Sequence, residues 1–183
     1  MVLKFPKHYR NTLVLLLSVK LFLLFSITAC TPEKHQNQQF LNEIDSLQKQ
    51  VLADSLAFQE LLQMPHDSTM MQMKTLLVQT SPEDPFFESR SLRLESGLLF
   101  FGQLKTESGP FLEEISYTAQ QLNNLRYDVD QRVLDSLDIK QYLNSEAEAV
   151  KRINAKNQYF LNSLNANLLL IETLENSFQT KKD

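Results

Sequence analysis

Every methionine after the initiator lies within ten residues, as Met64, Met70, Met71 and Met73, and His66 stands among them. Thioether sulfur and imidazole nitrogen are donors suited to Cu(I). Met70 and Met73, three residues apart, share one face of a helix. Met64, His66, Met70 and Met73 are therefore candidate copper ligands. The competing role, and the preferred one, is packing, because methionine commonly fills irregular gaps between helices. No cofactor is expected.

Other chemistry has little to work with. His35 and His66 are the only histidines after position 29, and Cys30 is the only cysteine. A Ser-His-Asp arrangement or a histidine metal cage would depend on a single candidate. With one thiol there is no intramolecular disulfide and no zinc-thiolate centre. The spacing of Gly97-Leu98-Leu99-Phe100-Phe101-Gly102 imitates half a phosphate-binding loop, but Gln103-Leu104 stand where Lys and Ser or Thr are needed. The paired glycines instead permit a close helix approach or cost helix stability. Glu113-Glu114 and Glu146 with Glu148 are explained by solvated helix faces. A hydrolase or transferase would need carboxylates gathered with Tyr117, Tyr127 or His66, and no spacing predicts that, so the chain is expected not to be an enzyme. Four short segments, Asp45-Ser46-Leu47, Asp54-Ser55-Leu56, Asp67-Ser68-Thr69 and Asp135-Ser136-Leu137, look like the acceptor pattern for protein O-glycosylation in some Gram-negative bacteria. That makes Ser46, Ser55, Ser68 and Ser136 candidate acceptors, although surface serines on helices would give the same pattern.

The elements that position these residues are helical. Phe40, Ile44, Leu47, Val51, Phe58 and Leu61 recur at spacings of three, four and seven, the mark of an amphipathic helix. Pro65 ends it near Met64. Asp67 is a plausible cap for a short helix through Leu77, and Ser81-Pro82-Glu83-Asp84-Pro85 marks the next start. A third helix is expected from about Phe86 to Thr106, stopped by Ser108-Gly109-Pro110, and a fourth from Phe111 through Val129, yielding near Asp135-Ser136-Leu137-Asp138. The last segment, from about Ile139 to Phe178, contains neither Gly nor Pro. Its heptad seam passes through Asn154 and Asn157. Buried asparagines in such a seam fix register, but the preferred expectation is that both are exposed where the stripe drifts toward Ile153 and Phe160. No segment alternates like a strand and no long repeat is present. The fold class expected is all-α: an elongated antiparallel helical bundle of four to five helices with a long C-terminal helix, preceded by a cleaved signal peptide.

The first 29 residues hold Lys4, Lys7, Arg10 and Lys20 with no acidic residue, and apolar runs from Leu13 to Leu17 and Leu21 to Phe25. This is the profile of an export signal. It closes on Ile27-Thr28-Ala29-Cys30, which resembles the lipobox of bacterial lipoproteins at all four positions. The resemblance implies cleavage between Ala29 and Cys30 and lipidation of the Cys30 thiol. Acyl chains contribute about 0.8 kcal/mol per buried methylene, so two or three would anchor the protein stably. The alternative is a transmembrane helix from about Thr12 to Ala29, opposed by Lys20, which costs roughly 2.5–3.5 kcal/mol in mid-membrane. Lys20 also divides the apolar stretch of the signal, and a translation start near Val19 would remove that difficulty.

Three segments are expected: residues 1–29 as signal peptide, 30–38 as a lipidated polar tether, and 39–180 as the helical domain. Of 18 Lys and Arg, four lie in the signal, leaving 14 against 22 Asp and Glu, a net charge of −8. Nucleic acid is an unsuitable partner for such a body. In layout the chain resembles small helical envelope lipoproteins. That implies a membrane held through Cys30, an envelope protein as partner, and a place on the outer membrane facing the periplasm, since Thr31-Pro32 lacks the aspartate linked to inner-membrane retention. The function expected is a non-enzymatic structural or protein-interaction module. The alternative is a binding module for an apolar ligand or an unfolded client, with Phe86, Phe87, Phe100 and Phe101 lining its cleft.

Overall fold

The computed structural model describes residues 32–179, so Ala29, Cys30 and the expected signal peptide lie outside the described residues. The described chain is all-α and has no strand. Its four helices are α1 (Pro32–Leu62), α2 (His66–Gln79), α3 (Phe87–Asp130) and α4 (Ser136–Gln179). A compact unit begins at Ile44.

The breaks follow local chemistry. Pro65 separates α1 from α2, and Ser81-Pro82 follows the end of α2. Asp67 does not cap α2. The N-cap is Pro65 and makes no side-chain hydrogen bond, while Asp67 lies in the first helical turn. Asp84 organises the start of α3: its Oδ1 accepts from the Phe86 amide at 2.9 Å and its Oδ2 pairs with Arg90 at 2.6 Å. Asp135 Oδ1 likewise accepts from the amides of Leu137 and Asp138, at 2.8 and 2.9 Å, to open α4. Between them, α3 ends in a Schellman turn. The Val133 amide donates to Asp128 (2.9 Å), the Arg132 amide donates to Val129 (3.2 Å), and Arg132 takes the left-handed conformation at φ 54°.

Two helix boundaries differ from the sequence expectation. α1 begins at Pro32, so the polar stretch before Phe40 is already helical from that proline. Ser108-Gly109-Pro110 does not stop α3, which continues from Phe87 to Asp130 with Pro110 inside it. The apolar stripe explains why. Leu94, Gly97, Phe101, Leu104, Phe111, Ile115, Thr118, Leu122, Leu125 and Val129 are buried and keep one face at spacings of three, four and seven across the proline. Pro110 itself is exposed. It forfeits one backbone bond on the solvent side, and packing on the other side carries the helix through. Four helices result among the described residues, within the four to five expected.

From Ile44 onward α1 lies against α3 and α4. Asp45 pairs with Arg126 (2.8 Å), Gln48 with Asn123 (2.8 Å), and the rings of Phe58 and Phe111 meet at 4.7 Å. Rising numbers on α1 thus meet falling numbers on α3. Glu107 with Lys156 (3.2 Å) and Gln103 with Tyr159 (3.4 Å) show the same opposition between α3 and α4. α2 packs on the other ends of α3 and α4. Gly97 allows that approach: a Cβ there would strike the Cε of buried Met73 and lie 2.6 Å from Asn167 Oδ1. Close helix approach, one of the roles expected for the glycines, therefore holds at Gly97, while Gly102 and Gly109 face open space.

Candidate functional site

The α1–α2 break builds a cavity that gathers thioether, imidazole, carboxyl and ammonium groups. Pro65 holds φ at −77° and ψ at 68°, the His66 amide donates to the Met64 carbonyl (2.8 Å), and Thr69 Oγ1 donates to the Pro65 carbonyl (3.2 Å). This tight link turns Met64 and His66 toward a cavity of about 540 Å³, whose walls include Met70, Asp67, Phe101, Lys105 and Ser108. The His66 ring stands 5.7 Å from the Phe101 ring, and both of its nitrogens are buried without a hydrogen bond. An unsatisfied buried polar group costs about 1–3 kcal/mol.

Of the four candidate copper ligands, the structure brings Met64, His66 and Met70 to this cavity and leaves Met73 out. Met73 is fully buried against Gly97, the core role that methionine often takes. Phe101, Lys105 and Ser108 complete the cavity from α3, more than 30 residues along the chain, and no local motif marks them. Among the described residues, no group of three or more His, Cys, Asp or Glu side chains is placed to hold a metal ion.

The candidate glycosylation serines have unlike settings. Ser68 and Ser136 are exposed in the first turns of α2 and α4. Ser46 is exposed within α1, and Ser55, also within α1, is half-buried and accepts a hydrogen bond from Gln59 Nε2 (3.3 Å). The aspartate before Ser55 is not available at the surface.

That aspartate, Asp54, forms a buried polar cluster between α1 and α4 that sequence reasoning missed. It is 5% exposed, and Asn157, facing it, is 1% exposed. Asn157 Nδ2 donates to Asp54 Oδ1 (2.9 Å) and to the Asp54 carbonyl (3.1 Å), while Asn154 Nδ2 donates to both carboxylate oxygens (3.1 and 3.3 Å). The expectation that both asparagines are exposed holds for Asn154 and fails for Asn157. A signal did exist: Asp54 occupies a stripe position, midway between Val51 and Phe58 at spacings of three and four.

Two carboxylates, Glu107 and Glu146, depart from the usual carboxylate range. Glu107 is held below the usual carboxylate range, first by the Gln103 hydrogen bond (2.8 Å) and then by Lys156. Glu146 lies between buried Leu143 and Val150 on the α4 stripe; burial raises its carboxyl above the usual range, and Arg152 offsets part of that. The folded state therefore binds the Glu146 proton more tightly than the unfolded chain does. Stability from this group is greatest below the unfolded value and is lost as pH rises through the raised folded value. Glu146→Gln should accordingly stabilise the protein near neutrality. In thermal melts from about pH 4 to about pH 7, its advantage over wild type should grow with pH, and a constant difference would exclude this assignment.

No family model, curated protein or solved structure matches the chain. Among the described residues, no helix is long and apolar enough to cross a membrane.

A larger concavity is a groove of about 680 Å³ between α1 and α3, lined by Val51, Leu52, Leu112, Ile115 and Ala119 together with Gln48, Ser55 and Asn123. Leu52 is 60% exposed there. The four phenylalanines expected to share one cleft do not all line one: Phe86 is exposed and Phe87 half-buried, whereas Phe100 and Phe101 are buried with their rings 5.3 Å apart, and Phe101 alone of the four lines the His66 cavity.

Proposed function

We propose that this protein is a lipid-anchored component of the bacterial cell envelope, held through acylated Cys30 on the outer membrane and facing the periplasm. Its helices form an antiparallel bundle that acts as a non-enzymatic structural or protein-interaction module. The Ile27-Thr28-Ala29-Cys30 segment supports the anchor. The groove between α1 and α3 carries the interaction role, because it combines apolar side chains with amide and hydroxyl groups, the composition of a recognition surface. Its volume also suits a small apolar ligand, which supports a binding module as the second reading.

One experiment separates the readings. A photoreactive residue is placed at position 52 in cells, with position 117 on the exposed Tyr117 as control, each with and without Cys30→Ala. The interaction reading expects one envelope protein crosslinked from position 52 and lost when the anchor is removed. Lipid or a mixture of unfolded chains captured at that position would establish the binding module instead. Equal capture from positions 52 and 117, or none from either, would reject the groove as the functional surface. Palmitate labelling that persists in Cys30→Ala would reject the anchor independently.

A further inference from the structure

We propose that the cavity at the α1–α2 break binds a soft monovalent cation, Cu(I) or its analogue Ag(I), through the thioethers of Met64 and Met70 and an imidazole nitrogen of His66. Three observations converge. The structure sorts the methionines: Met64 and Met70 line this cavity, Met73 is sealed against Gly97, and Met71 is turned toward a separate cleft beside Phe178. The imidazole beside them has no hydrogen bond on either nitrogen although both are buried. A turn of the ring that presents one nitrogen to the cavity exchanges an unsatisfied polar atom for a metal bond.

The donor set selects the cation. Two thioethers and one imidazole are neutral and soft, which matches Cu(I) and poorly matches hard divalent ions. Lys105 from α3 and Asp67 from α2 also line the cavity with opposite charges, so the neutral thioethers and imidazole decide the preference. Phe101 supplies an apolar wall. Pro65, fixed between Met64 and His66, limits the conformations lost when the two side chains close on one ion.

The test uses the full-length chain carrying Cys30→Ala, so that its one thiol cannot take the metal. Cu(I) is titrated anaerobically against a chromophoric Cu(I) chelator. One Cu(I) per chain is expected, with Met64→Leu, Met70→Leu and His66→Phe each weakening binding at least about tenfold, and Met71→Leu leaving it unchanged. With methyl-labelled methionine, Ag(I) should shift the Met64 and Met70 resonances and spare Met71 and Met73; the same spectra report that each variant is folded. Failure to hold Cu(I) against the chelator, or equal retention by a folded Met64→Leu/Met70→Leu double variant, would overturn the proposal.

Discussion

Alanine at position 160 is expected to lower the unfolding free energy by about 3–5 kcal/mol. Phe160 is fully buried on α4, where its ring meets Phe58 of α1 at 5.4 Å and Phe111 of α3 at 5.8 Å. Three helices therefore lose their shared contact at once, and rings drawn from three separate backbones cannot easily collapse into the vacated volume. Lys156 adds to the cost, since its Nζ lies 5.9 Å from the Phe160 ring and 5.1 Å from that of Phe111. With a urea dependence of about 1–3 kcal/mol per molar, the midpoint followed by circular dichroism should fall by at least about 1 M. Tyr117→Ala, at an exposed site, should stay within about 0.5 kcal/mol. Equal midpoints for the two variants would show that this aromatic junction is not a centre of the core.

Asn157→Leu should cost about 1.5–3 kcal/mol, the scale of a hydrogen bond to a charged group. The buried carboxylate of Asp54 then keeps only Asn154, and two close contacts from Asn157 Nδ2 disappear. The double variant Asp54→Leu/Asn157→Leu should recover most of that loss, because removing both polar partners removes the unsatisfied group along with the bond. A double-mutant cycle measures this directly. Additive losses would show that the two side chains act independently and that Asp54 is not stabilised by Asn157.

Much of this architecture was legible from spacing. The stripes on α1 and α4, the break at Pro65 and the opening of α4 near Asp135 all follow from side chains within a few residues of each other. What misled was reading Ser108-Gly109-Pro110 as punctuation. Leu104 and Phe111 are seven apart, so the stripe keeps its phase through the proline, and phase was the better guide. Asp54 and Asn157 were harder to pair because each is unfavourable alone on an apolar face, and the bond from Asn157 Nδ2 to the Asp54 carboxylate crosses 103 positions. The candidate metal site divides the same way. Met64, His66 and Met70 stand close in sequence, whereas the α3 wall is supplied by tertiary packing and carries no local mark.

The short α2 has a consequence for how the molecule comes apart. Each 44-residue partner has other contacts: α3 and α4 hold one another through Glu107 and Lys156, and both hold α1 through the phenylalanine junction. α2 has 14 residues, no side-chain cap at its start, and three buried side chains. A helix of that length is marginal by itself, so its cohesion is borrowed from Gly97 and its neighbours. Sub-global opening should therefore begin with α2 lifting away while the rest stays folded, giving its amides the weakest protection among the buried segments. Any ligand bridging Met64 and Met70 would then act as a clasp, tying the least cohesive segment to the end of α1.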